Sequence, residues 1–184
     1  FIIVYIKLKK TIKLIMVKFM YKLNIFLLYS FLGYIFEIIV DLIMKIKPSS
    51  GIMSGPFTPI YGLGVLIMLQ IKDLYQRLDL NKFLEIALYF ITVIIVLTIL
   101  EQIGGMLLDK VFNKTLWDYS DYKFHITKYI AVEVSLFWGV ASIIIGYLVN
   151  PLLDKIIYKI PPFLTIFVLI IFITDAINTF FKNI

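Results

Sequence analysis

Carboxylates embedded in long apolar stretches are the residues of this sequence best placed to do chemistry. In residues 24–46, Tyr29, Gly33, Glu37 and Asp41 recur every fourth position, which sets them along one face of a helix. In 83–108, Thr98, Glu101 and Gly105 share a face, with Gln102 beside it, and in 161–182 Thr174, Asp175 and Asn178 form a polar patch near the C-terminal end. An ionised carboxylate in hydrocarbon is costly, so such groups face a bundle interior or a wet cavity. There they can bind cations, relay protons or receive a basic or polyhydroxylated solute. The competing reading is that each acid caps a helix, pairs with a lysine or lies at an interface, and for any single acid that reading is the stronger. For Glu37, Glu101 and Asp175 together, the shared helix facing favours function.

The elements that carry these acids follow from composition. The chain is 61% hydrophobic and 16% charged, with a mean hydropathy of +0.98. Soluble domains are roughly 45–50% apolar and 25% charged, so this is an integral membrane protein. Its apolar runs are unbroken rather than alternating, which excludes a barrel and makes the class all-α, a polytopic helical bundle. Five candidate spans are read at about 24–46, 57–71, 83–108, 129–149 and 161–182, the second short or re-entrant. Residues 1–22 carry six lysines and read as a basic interfacial helix with Leu8, Ile12, Ile15 and Phe19 on one stripe. Because the chain opens on Phe1, Met16 and Met20 stand as alternative starts that would leave this segment out. Residues 23–184 then form a single helical membrane domain, joined by linkers at 45–55, 72–82, 109–128 and 150–160.

With five spans, the first, third and fifth run the same way, and Glu37, Asp41, Glu101 and Asp175 all fall past their midpoints. They lie toward one membrane face, together with the loops 47–56 and 109–128 and with Asp118, Asp121 and Glu133. The lysine-rich tail lies at the other face. Eleven of the Lys and Arg residues fall on the tail side and seven opposite, which places the N-terminus in the cytoplasm. The count is the same if the second segment is re-entrant. The net charge of +6 is thus accounted for by membrane topology and anionic lipid, without nucleic acid.

Other chemistry finds little support. There is no cysteine, hence no disulfide or thiolate, and the single histidine, His125, cannot form a cluster of histidines. Walker A, GxSxG, HExxH and Rossmann patterns are missing, so no catalytic residue, metal or cofactor is assigned. Asp118 and Asp121 are paired carboxylates, yet at i and i+3 they suit an Asx-type turn as well. Ser135, Gly139, Ser142 and Gly146 form a small-residue stripe that admits a close helix neighbour. Trp117 and Trp138 read as belt or packed aromatics. In SGPFTPIYGLG (54–64), Pro56 and Pro59 suit the first turn of a helix, Ser54 or Thr58 its cap, and Gly62 and Gly64 a close packing face.

Four motifs in order, SGPFTPIYGLG (54–64), LEQIGG (100–105), LWDYSDYKF (116–124) and SLFWG (135–139), resemble the CmpB-type family of ABC-transporter permeases, small bacterial membrane proteins. The resemblance covers roughly residues 20–180, including YSFLGYIFE (29–37) and Asp175. It implies a bacterial plasma-membrane protein of several helices. After WDYS the family tends to have Asn and Gly-Arg-Ile, where this chain has His125 to Ile130, so no role of that Asn or Arg carries over. No EAA-type coupling motif and no ATPase domain are found, so ATP would have to be used by a separate subunit.

The reading that results is a permease-like, non-enzymatic membrane protein, a transporter or its membrane component. Its solute or ion site is built from Glu37, Asp41, Glu101, Asp175 and Tyr61, under a lid or loop motif comprising Gly55, Pro56, Pro59, Trp117, Asp118, Tyr119 and Ser120. The lipid bilayer, an ATPase subunit or partner membrane protein, and further copies of the chain are its expected partners. The alternatives are a non-transporting scaffold or assembly factor whose small-residue stripes pack on partner helices, and a membrane-embedded enzyme using Asp118, Asp121 or His125.

Overall fold

Between Ile2 and Leu32 the chain has neither glycine nor proline, and nothing stops a helix there. In the computed structural model, which describes residues 2–45 and 51–183, α1 runs unbroken over Ile2–Ile43. The interfacial segment and first span expected as separate units are therefore one helix. Lysine raises the cost of burial but is a good helix former, so the lysines change where the helix can sit rather than whether it forms. At about 1.5 Å per residue, α1 is roughly 63 Å long, about twice a hydrocarbon core. Residues 46–50 of the expected 45–55 linker lie outside the described residues.

The remaining helices are α2 (Pro59–Gln76), α3 (Lys82–Phe112), α4 (Val132–Ile144), α5 (Asn150–Ile157) and α6 (Pro162–Asn183). A two-stranded hairpin, β1 (His125–Thr127) and β2 (Ile130–Ala131), precedes α4. Pro59 opens α2 as expected, but neither expected side-chain cap forms: Thr58 occupies the cap position without a side-chain bond, and its backbone N–H donates to the Ser30 carbonyl at 2.9 Å. The start of α3 is capped by the Asn81 side chain, which accepts from the Leu84 N–H at 2.9 Å. Its end is closed by Asn113 in the left-handed conformation, φ 50°.

The expected 150–160 linker is mostly helical. Residues 145–149 form a π-helical turn that joins α4 to α5, giving one rod over Val132–Ile157. Asn150 N–H bonds to the Ile145 carbonyl, five residues back. Pro151, next in line, has no N–H to continue this register, and the Asn150 N–H is already committed, so the Gly146 carbonyl is left without a backbone donor. Lys72 on α2 supplies one, its Nζ donating to Gly146 O at 2.6 Å. The helix continues through Asn-Pro because another element satisfies the carbonyl that the proline leaves free.

Cross-helix contacts fix the directions. Along α1 and α2, Gly33 meets Tyr61 while Lys22 meets Gln70, so the two are antiparallel. Along α2 and α3, Ile60 meets Gly104 and Tyr75 bonds Thr92, again antiparallel. The α3 helix opposes the rod from α4 to α5 through Thr98–Ser135 and Glu85–Tyr147, and α6 runs with α1 through Thr165–Asn24 and Phe172–Phe26. Four helices, Val4–Ile43, Lys82–Phe112, Val132–Ile157 and Pro162–Asn183, are long and apolar enough to cross a membrane. The α2 helix, about 27 Å long, packs between α1 and α3 in the direction opposite to both.

One helix shows why this is a membrane fold. On α3, Tyr89, Val93, Leu97, Glu101 and Gly105 form the buried ladder, while Ile91, Ile95, Ile99 and Ile103 are exposed. The buried ladder carries Tyr89 and Glu101 while the exposed one is purely aliphatic, as lipid requires.

Candidate functional site at the end opposite the lysine-rich tail

Glu101 is the fourth residue of that buried ladder and is only 7% exposed. Its Oε1 accepts from Trp138 Nε1 at 3.0 Å and from the Tyr119 hydroxyl at 3.2 Å. Its other oxygen, Oε2, is buried with no hydrogen-bond partner. Trp138, on α4, faces α3 because its neighbour Gly139 has no side chain to hold the helices apart. A Cβ there would come within 2.6 Å of Phe90 and 2.7 Å of Ile94. The small-residue stripe of α4 is thus occupied within the molecule, against α3.

Tyr119 comes from the segment between α3 and α4. That segment is pinned at its base, where Lys128 Nζ pairs with Asp109 Oδ2 at 2.7 Å and also donates to Thr115. The Tyr129 hydroxyl bonds the same carboxylate oxygen, and its ring lies over Gly105. Higher up, the Tyr119 N–H donates to the Lys128 carbonyl at 2.7 Å. Asp118 Oδ1 accepts from the Ser120 N–H at 2.9 Å, the Asx turn that its spacing allowed. These bonds hold the Asp118 carboxyl below the usual carboxylate range, first through Ser120. The Asp109 partner pushes up both the Lys128 ammonium and the Tyr129 hydroxyl. The Tyr119 hydroxyl is pushed up by burial first and then by Glu101.

On the far side of Trp138 the Tyr61 ring makes an edge contact at 5.5 Å. Tyr61 packs against Gly33 of α1, and its hydroxyl lies near Glu37, one turn further along that helix. Phe36 flanks it at 6.0 Å. Glu37, Tyr61, Trp138, Glu101 and Tyr119 therefore form one row across α1, α2, α4, α3 and the loop: two carboxylates separated and lined by aromatic rings. Glu101 Oε2 is the atom of this row left to meet a cation or a donor group.

Asp41 is half-buried on α1, one turn past Glu37. Asp175 is engaged elsewhere: its Oδ2 accepts from the Gly55 N–H at 2.8 Å, and Thr179 Oγ1 accepts from Ser54 N at 3.3 Å. Together with the Phe57–Phe172 ring contact at 5.4 Å, this fastens the Gly55–Pro56 loop leading to Pro59 onto α6. Trp117 stacks over Gly104, 3.5 Å from where its Cβ would be, with its indole N–H buried and unpartnered. Ser120, Asp121 and His125 are exposed, and His125 Nδ1 lies 2.9 Å from the Tyr122 carbonyl. Glu133 Oε1 accepts from the Phe124 N–H at 3.1 Å. Sequence reasoning named Tyr119 only as a loop residue and Trp138 only as a belt or packed aromatic. Their place beside Glu101 depends on how separate elements meet, which spacing along the chain does not encode.

Residues 24–181 match the family described as Putative ABC-transporter type IV, and the chain belongs to that family. No curated protein and no solved structure matches it.

Proposed function

We propose that this family member is the permease-like membrane component of a transport system, and that Glu101 is the centre of its solute or coupling-cation site. The observation that carries the reading is the state of that carboxyl, buried in the middle of a bundle with one oxygen doubly hydrogen-bonded and the other unpartnered. A buried polar atom left unpaired costs about 1–3 kcal/mol, which a bound cation or solute donor would recover. Glu37 and Tyr61 complete the site, with Tyr119 above it and Asp41 at its edge. Asp175 and the Gly55–Pro56 loop form a supporting clasp rather than a ligand shell.

The chain resides in a bacterial plasma membrane with its lysine-rich end in the cytoplasm, as the charge bias favours, and a separate subunit supplies ATP hydrolysis. The role is binding and translocation, not catalysis. Asp118 and His125 are engaged in local turn structure of the loop, which supports that assignment. The scaffold alternative loses support from the α4 stripe, whose glycine packs on α3.

Glu101→Gln tests the proposal. It keeps an oxygen to accept from Trp138 and Tyr119 but removes the charge. Solute uptake or cation binding in proteoliposomes is expected to be lost while the protein still inserts and purifies normally. Undiminished transport in this variant would remove Glu101 from the mechanism.

A further inference from the structure

At the opposite end of the bundle, near the lysine-rich tail, a cavity of about 230 Å³ is lined by α1 (Tyr21, Lys22), α2 (Gln70, Lys72) and α5 (Asn150, Asp154), among others. Its charges are arranged unusually. Lys22 has a neutral partner, Gln70 Oε1 at 3.5 Å. Asp154 Oδ1 accepts from two neutral donors, the Tyr21 hydroxyl at 2.6 Å and Asn150 Nδ2 at 3.0 Å. Lys72 is committed to the Gly146 carbonyl. The two salt bridges among the described residues lie elsewhere, at Lys82–Glu85 and Lys128–Asp109. Asp73 on α2, exposed, is a second carboxylate of the lining; Lys22 on the α1 wall and Asp154 on the α5 wall share the cavity without pairing with each other.

The Asp154 wall is also rigid. Asn150 is 3% exposed and takes a further bond from the Tyr29 hydroxyl at 3.4 Å. The Tyr21 ring stacks on Tyr158 at 4.4 Å; both rings line the cavity, and the outer faces of such a pair are of the kind that attract an ammonium. The volume lies below the roughly 300–1,000 Å³ of drug-sized sites, which limits the ligand to a headgroup-sized molecule.

We propose that this cavity binds a small zwitterion, its ammonium held at Asp154 and the Tyr21–Tyr158 pair and its anionic oxyacid held by Lys22. A phosphoethanolamine group has this chemistry, either as the headgroup of a phospholipid or as a free soluble compound. The site is separate from Glu101 and does not rest on the transport assignment.

Binding to the purified full chain is measured with three probes: short-chain phosphatidylethanolamine, short-chain phosphatidylglycerol and soluble glycerophosphoethanolamine. Phosphatidylethanolamine is expected to bind tightest of the two lipids. Asp154→Asn, which keeps an acceptor for Tyr21, and Lys22→Gln, at an exposed position, should each weaken it about tenfold or more, as expected for losing a charged hydrogen-bond partner. Equal binding of the soluble compound identifies a free zwitterion as the ligand, whereas binding of the lipid alone identifies a headgroup. The proposal is overturned if phosphatidylglycerol binds as tightly as phosphatidylethanolamine, or if Asp154→Asn leaves binding unchanged. Unaltered melting of both variants, and unaltered binding in Glu101→Gln, separate this result from misfolding and from failure of the transport reading.

Discussion

Gly62 and Gly64 lie two residues apart on α2 and make opposite demands on the fold. A Cβ on Gly62 would fall inside the contact distance of the Phe26 carbonyl oxygen and Ser30 Oγ and 2.9 Å from Phe26 Cδ2. The carbonyl is helix backbone and cannot swing away, so Gly62→Ala must push α2 off α1. Restoring van der Waals separations of about 3.5 Å takes a shift on the order of 1 Å. That shift strains the Thr58 N–H to Ser30 carbonyl bond and lifts Tyr61 from Gly33. Overpacking costs about 1–3 kcal/mol and the loosened hydrogen bond about 1 kcal/mol, against a gain of up to about 1 kcal/mol in helix propensity. The net is a loss of about 1–3 kcal/mol. At Gly64 the nearest neighbour of an added Cβ is Leu97 Cδ2 at 3.6 Å, an ordinary contact. Gly64→Ala should therefore be neutral or stabilising by up to about 1 kcal/mol.

At roughly 2–4 °C per kcal/mol for a chain of this size, the Gly62→Ala protein should melt about 2–12 °C below wild type and the Gly64→Ala protein at or slightly above it. Intrinsic fluorescence in detergent is a suitable readout because both tryptophans, Trp117 and Trp138, lie in or beside the Glu101 row. If Gly62→Ala melts at or above wild type, or Gly64→Ala falls as far as Gly62→Ala, the α1–α2 contact does not limit the fold in the way described.

Other expectations follow from single contacts. Lys72→Met removes the donor to the Gly146 carbonyl and should lower stability by about 1–3 kcal/mol, readable as faster amide exchange at 145–150. Trp138→Phe removes one of the two donors to Glu101 Oε1 and is expected to weaken cation or solute binding more than it lowers the melting temperature; a change in melting alone would refute it. Protection of the loop from 113 to 131 against proteolysis should be flat across neutral pH. The lowered Asp118 group stabilises above the ordinary carboxylate pKa of about 3.9 and loses that contribution only as acid reaches its folded value. The raised Lys128 group stabilises below about 10.4 and loses it only in stronger alkali. Loosening between pH 6 and 8, a window set by these two ordinary values, would contradict that assignment. If α2 crosses the bilayer, cysteines at Ser54 and Leu78, both exposed, should label from opposite sides; labelling from the same side makes α2 re-entrant.

The helices were legible because their apolar runs are long and their facing obeys simple periodicity. Thr98, Glu101 and Gly105 do share a face, meeting Ser135, Trp138 and Tyr129 in turn. Tyr29, Gly33 and Glu37 likewise turn toward the interior. The continuity of α1 was missed because lysines were read as a boundary, although lysine is a good helix former and does not itself end a helix. Asn150-Pro151 looked like a linker because its rescue comes from Lys72, 74 positions away. Asp175 was grouped with Glu37 and Glu101 by height in the membrane, which the helix directions support. Its azimuth, toward the Gly55 loop, needed the packing of α6. The cavity beside Tyr21 gave no signal, since its residues come from three segments and none has unusual spacing.

The π-helical turn at 145–149 also works as a phase setting. Each residue added to or removed from a helix rotates everything beyond it by about 100° about the axis. Deleting a single residue such as Leu148 would let the i to i−4 pattern run on, but it would turn Asn150 and Asp154 away from Tyr29 and Tyr21 while Ser135 and Gly139 kept their seat on α3. The extra residue thus lets one rod present its upper half to α3 and its lower half to α1. Among sequences of this length and pattern, an insertion or deletion here should be far less tolerated than a substitution at the same positions.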